Sequence, residues 1–170
     1  TDTCGNFAEV SYSTRIDNTP PVLTGCPTDV TVQCLSDVPA VAAVTANDNC
    51  DGALTPAFGE TATGTDCDKT IVRTWTASDT CGNPISCSQT IRVKDNTVPV
   101  LVKGSIAACY ADAASAQAAA IAATAATDNC AGAVTWTAGT VGDCSATITV
   151  RGTDTCGNFA EVSYSTRIDN

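Results

Sequence analysis

The chain has 170 residues, 18 acidic and 8 basic side chains, a formal net charge of −10, and neither histidine nor methionine. Such acidity argues against nucleic acid and anionic membrane surfaces as partners. Lack of histidine excludes a Ser-His-Asp triad, a Cys-His pair and any His-based metal site. No apolar run is long enough to span a bilayer, and no signal peptide is visible, so the chain reads as a segment of a larger secreted protein.

Residues 1–18, TDTCGNFAEVSYSTRIDN, recur unchanged at 153–170, an offset of 152. The sequence is therefore read as one period of a tandem array, with 1–18 the last loop and strand of the preceding repeat's second domain. Of the 11 cysteines, Cys4 and Cys156 are the same position in the repeat, which leaves ten per period. An even number without CxxC pairs points to disulfides and an oxidising, extracellular compartment rather than to zinc. Cys4 is expected to be unpaired within this window, its partner lying in the preceding repeat.

Residues 19–96 and 97–170 pass the same landmarks in the same order. These are an entry DN-T-x-P, a cysteine after a short strand (Cys34, Cys109), DNC (Cys50, Cys130), a further cysteine (Cys67, Cys144) and DTCGN (Cys81, Cys156). The period thus divides into a first domain with six cysteines, 19–96, and a second with four, 97–170. Cys26 and Cys87 are present in the first and both missing from the second, which pairs them. The four shared cysteines allow three connectivities. The one favoured, Cys34–Cys67 with Cys50–Cys81 and Cys109–Cys144 with Cys130–Cys156, lets the DNC and DTCGN loops meet.

DVTVQC, TIVRTWTA and ATITVRG read as strands rich in β-branched residues. After each CGN the apolar positions alternate, as Ile85, Cys87, Gln89, Ile91, Val93 and as Ala160, Val162, Tyr164, Thr166, Ile168. That is the period of a half-buried strand. Residues 111–126 are nearly all alanine and predict a short helix near 113–123, with Asp112 as its cap. The expected fold is all-β: tandem immunoglobulin-like antiparallel sandwiches, disulfide-rich, with one short Ala-rich helix in the second domain.

The segment WTASDTCGNPISCSQTIRVKDNTVPVL resembles hyalin-repeat-like (HYR-like), immunoglobulin-like modules, above all the Cys-rich forms repeated in large surface adhesins of gliding, Bacteroidetes-type bacteria. The second domain departs from the pattern, with Val150 where the first has Trp75. The resemblance implies a sandwich serving as a spacer or adhesive unit on the cell surface.

Asp17, Asp95 and Asp169 precede domain entries, and Asp48, Asp79, Asp128 and Asp154 sit in the DNC and DTCGN loops. Carboxylates gathered at a domain junction could bind calcium and stiffen the array. The competing reading is turn chemistry, which Asp and Asn favour through their own side chains. Trp75 shares a face with Ile71 and Ala77 and is read as core. Trp136, flanked by Thr135 and Thr137, could stack on a sugar. Paired carboxylates alone could hydrolyse a glycoside, but small repeated domains offer no deep pocket, so no enzyme is expected. The leading reading is a structural repeat unit of an extracellular fibre, stalk or surface adhesin, semi-rigid because its Pro-containing linkers are very short. Its partners would be adjacent copies of the same repeat along the fibre, and surface glycans or other cells. The alternatives are a carbohydrate- or protein-binding adhesive module and a strand-donating subunit of a non-covalent polymer.

Overall fold

A computed structural model describes residues 3–130 and 132–169. Thr1, Asp2 and Asn170, which belong to the two copies of the duplicated segment, lie outside the described residues. The described residues are mostly β, with several sheets, one short α-helix and three disulfides. Thirteen strands are described: β1 Val22–Thr24, β2 Val30–Val32, β3 Thr45–Asp48, β4 Gly52–Leu54, β5 Ala57–Thr65, β6 Asp68–Ser78, β7 Pro84–Lys94, β8 Val100–Lys103, β9 Cys109–Tyr110, β10 Thr124–Thr127, β11 Thr135–Val141, β12 Ala146–Thr153 and β13 Phe159–Ile168. The helix, α1, is Ala113–Ala122.

The chain forms two compact units. The first comprises residues 1–27, 42–59 and 73–88. It holds a three-stranded antiparallel sheet in the order β1-β3-β4. In the same unit Trp75 is 3% exposed, and its ring lies 5.4 Å from that of Phe58. The core role expected of Trp75 is thus where the sequence put it. A further sheet has the order β2-β7-β6-β5. β7 follows the expected alternation, with Gln89, Ile91 and Val93 buried and Ser88, Arg92 and Lys94 exposed.

The second unit comprises residues 28–41, 60–72 and 89–170. Its main sheet runs β11-β12-β13-β9, antiparallel except that β9 lies parallel to β13, and β8 pairs with β10 separately. The core is Ile148 and Val150 of β12, Tyr164 of β13, and Ala116 and Ala120 of α1. Alanine suits this helix twice over. It costs least to place in a helix, and its small side chain lets the helix backbone lie close to the sheet. Asp112 caps it, accepting from Ser115 N at 2.7 Å and from Ser115 Oγ at 3.0 Å. Tyr164 would bury a hydroxyl, and Thr124 Oγ1 meets that hydroxyl at 2.8 Å.

Trp136 pairs in register with Gly152. A Cβ at Gly152 would stand 2.8 Å from Leu101 Cδ2 and 2.9 Å from Trp136 Cζ3. Glycine is therefore what lets the Trp136 indole and Leu101 come this close to β12. Gly152→Val is expected to lower stability by about 1–3 kcal/mol through overpacking and to change the near-UV circular dichroism of Trp136. An unchanged spectrum would show the ring is not packed there.

The two copies of the duplicated segment adopt different structures. Residues 159–168 form β13, where Tyr164 is 2% exposed, whereas residues 6–16 form no strand and Tyr12 is 88% exposed. The turn before them is nevertheless kept, since Gly5 and Gly157 have φ of 83° and 89°. The turn is a local property of CGN; the strand depends on β12 and β9 beside it.

Candidate functional site

DTCGN folds as a closed clasp in both halves. Asp79 Oδ1 accepts from Asn83 N at 2.8 Å, and Asn83 Nδ2 donates to Asp79 Oδ2 at 2.6 Å. Asp154 Oδ1 accepts from Cys156 N at 2.8 Å and Asn158 N at 2.9 Å, and Asn158 Nδ2 donates to Asp154 Oδ2 at 2.9 Å. Glycine is required between them, because Gly82 and Gly157 take φ of 88° and 89°. Burial pushes the Asp79 carboxyl up, but the bonds it accepts from Asn83, Cys81 and Gly82 outweigh this and hold it below its ordinary range.

The clasp asparagine has a second donor, and it reaches the DN-T-x-P linker. Asn83 Nδ2 donates to Asp17 O at 2.9 Å, and Asn158 Nδ2 to Asp95 O at 3.4 Å. The linker is folded on itself as well. Asp17 Oδ1 accepts from Thr19 N, and Asp95 Oδ1 from Thr97 N, each at 3.1 Å. Both aspartates are buried, as are Pro21 and Pro99. A linker with a buried, bonded Asp and a buried Pro a few residues on has little freedom left.

The disulfides lie on this arrangement. Cys26 is bonded to Cys87, the pair expected from their joint presence. The other pairings differ from expectation. Cys34–Cys67, Cys50–Cys81, Cys109–Cys144 and Cys130–Cys156 do not form; instead Cys34 is bonded to Cys130 and Cys67 to Cys156. The linker explains this. Asp95 N donates to Cys67 O at 3.3 Å, while Asp95 O receives Asn158. The Asp95 residue thus stands between Cys67 and the clasp that carries Cys156, and brings the two sulfurs together. Asn129 Nδ2 donates to both sulfurs of the other bridge, at 3.4 Å to Cys34 and 3.3 Å to Cys130. Cys50, Cys81, Cys109 and Cys144 carry no bridge and are exposed, and Cys4 is also exposed.

The seven aspartates weighed as calcium ligands do not form one group. Asp79 and Asp154 are engaged in the clasps, and Asp169 is exposed with its N–H on Tyr110 O. Asp17 and Asp48 lie together with Cys50, and Asp95 and Asp128 with Cys130. The two sets differ in one respect that sequence reasoning missed. Arg15 Nη2 stands 3.2 Å from Asp17 Oδ2 and 3.9 Å from Asp48 Oδ1, and Arg15 Nη1 pairs with Asp51. Thr80 N and the Arg15 guanidinium hold the Asp51 carboxyl below its ordinary range. Two residues before Asp95 stands Val93, and after Cys130 stands Ala131, in place of Arg15 and Asp51. Asp95 Oδ2 and Asp128 Oδ1 are buried without a hydrogen-bond partner, and so is Asp48 Oδ2 in the first set. The joint exchange of Arg15 and Asp51 for apolar residues was the available signal.

Trp136 is half-buried and packed against the β12–β13 core. In the first unit an open groove of about 710 Å³ is lined by Thr55, Ala57, Thr76, Pro84 and Ile85 among others. No helix among the described residues is long and apolar enough to cross a membrane.

Residues 22–93 match the model of the HYR-like domain with 4 cysteines. The match ends just before the Asp95 linker, so the clasp on that linker falls outside it. No curated protein matches the chain. The HYR-like match over residues 22–93 and the disulfides fit an extracellular adhesion-type repeat module.

Proposed function

We propose that the chain is a structural repeat unit of an extracellular fibre, stalk or surface adhesin, built from tandem immunoglobulin-like sandwiches and without catalytic activity. The observation that carries this reading is the linker. Asp95 is buried and tied to the clasp through Asn158, and two disulfides flank it, Cys34–Cys130 and Cys67–Cys156. Such an array transmits tension through covalent staples rather than through slack chain. Its partners are further copies of the same repeat, and its setting is the outside of a cell. Pulling single molecules by their ends tests this. The oxidised chain is expected to lengthen far less than the reduced chain, because residues between bonded cysteines stay out of the load path. Equal lengthening in both states would remove the load-bearing role.

A cation at the second linker is supported by the two orphaned oxygens of Asp95 and Asp128, where the first linker has one, on Asp48, and the Arg15 guanidinium beside it. Calcium is the hard, oxygen-seeking ion that two carboxylates would favour. Millimolar calcium is expected to raise the melting temperature and chelator to reverse it, and Asp128→Asn to abolish the response. A midpoint that ignores calcium leaves the pair as turn chemistry.

A further inference from the structure

Cys50, Cys81, Cys109 and Cys144, which carry no bridge, are the counterparts of the four cysteines that staple the second linker. Cys50 and Cys81 stand in the DNC and DTCGN motifs, as Cys130 and Cys156 do. Cys109 and Cys144 hold the places of Cys34 and Cys67. Apart from Arg15 and Asp51, the surroundings are repeated as well. At the first linker Thr19 N bonds Asp17 Oδ1 and Asn83 Nδ2 bonds Asp17 O, as Thr97 and Asn158 do with Asp95. Cys50 N bonds Asp48 Oδ1 at 2.8 Å, as Cys130 N bonds Asp128 Oδ2 at 3.2 Å. Asn49 Nδ2 lies 3.2 Å from Cys50 Sγ, the position from which Asn129 serves its bridge. The grouping of Asp17, Asp48 and Cys50 is therefore no evidence of a thiolate metal site, because the matching group contains a sulfur already in a disulfide.

The other half-sites are also formed. Cys109 lies in β9, beside β13, and the end of β13 is held against both cysteine-bearing segments: Ile168 N bonds Asp143 O, and Asp169 N bonds Tyr110 O, each at 2.9 Å. Asp169 therefore leaves between the neighbours of Cys109 and Cys144, as Asp95 leaves beside Cys34 and Cys67. Residues 153–170 of one period are residues 1–18 of the next.

We infer that Cys109 and Cys144 of one copy of this sequence form disulfides with Cys50 and Cys81 of the copy that follows it in the chain. Every linker of the array then carries the same two staples, Cys109–Cys50 alternating with Cys34–Cys130 and Cys144–Cys81 alternating with Cys67–Cys156. The oxidant is a disulfide, either glutathione disulfide or an oxidised dithiol protein. The thiolate of Cys144 attacks it, forming a mixed disulfide and expelling one thiol. The thiolate of Cys81 then attacks the Cys144 sulfur and expels the second. Two electrons pass to the oxidant, and the two thiol protons end on its two sulfurs. All four sulfurs belong to exposed residues, open to such exchange.

The inference rests on the reading of the chain as one period of an array. Its test is separate from the pulling experiment, which concerns bridges already present in one copy. A chain joining residues 1–152 to residues 1–170 is secreted through an oxidising compartment, alkylated in denaturant and weighed intact beside the 170-residue chain. The longer chain has ten more cysteines, and the expected number of alkylated thiols is the same for both. Serine at Cys109 and Cys144 of the first copy is then expected to add two alkylated thiols, with Cys26–Cys87 and Cys34–Cys130 still found in unreduced digests. A gain of four thiols in the unsubstituted longer chain would overturn the inference. So would digests linking Cys50 to Cys81 or Cys109 to Cys144.

Discussion

Replacing Cys67 and Cys156 together by serine is expected to destabilise the second unit by about 3 kcal/mol. The bridge joins residues 89 apart in sequence. Closing a loop of that order removes enough freedom from the unfolded chain for roughly 4–5 kcal/mol, and measured values usually fall to about 2–4. The Cys34–Cys130 bridge, with a separation of 96, has nearly the same expected value. Their loops overlap, so with one bridge formed the second closes a shorter ring. Loop entropy depends only logarithmically on length, so this correction is about a few tenths of a kcal/mol. Urea titration followed by Trp136 fluorescence reads the result. The midpoint should fall, and the slope should rise because the unbridged denatured chain exposes more surface. A shift under about 1 kcal/mol would mean that the cysteines are not joined in this way.

The parts of the fold legible in the sequence are those set by neighbouring residues. The alternation after CGN marked β7 and β13 because burial on one face imposes period 2 whatever lies opposite. The alanine run and Asp112 marked α1 because propensity and capping act within a turn or two. Cys26–Cys87 was legible because both cysteines are absent together from the other half. The two staples were not. Cysteine order is the same whether each half closes its own bridges or bonds across a linker, and the observed pairing goes with a bond from Asn158 to a backbone carbonyl. A carbonyl is common to all residues and leaves no mark in a sequence. Residues 6–16 show the same limit from the other side. Their sequence is that of β13, yet without the partners of β13 they form no strand.

Asp154→Ala is expected to loosen the clasp, the linker and the Cys67–Cys156 bridge together. The substitution leaves Cys156 N and Asn158 N without their acceptor and frees the Asn158 amide. Orphaned buried donors cost about 1–3 kcal/mol each, and water reaching the half-exposed turn recovers part of this, giving about 2–3 kcal/mol overall. Asp154→Asn keeps one oxygen acceptor and should fall between. Amide exchange at Asp95–Thr97 should quicken and dithiothreitol should reduce Cys67–Cys156 faster, while Cys26–Cys87 reduces at its former rate. Uniform quickening at all bridges would instead mean general unfolding. The first clasp adds a dependence on pH. Because the Asp79 carboxyl is held below its ordinary value, its contribution is fully present above the unfolded carboxylate value of about 3.9 and is lost as pH falls through the folded value. Acid should therefore open this clasp only below about pH 4, and Asp79→Asn should remove that part of the pH dependence. The charge is needed less for attraction than for the number of N–H groups one carboxylate can hold in a turn this tight.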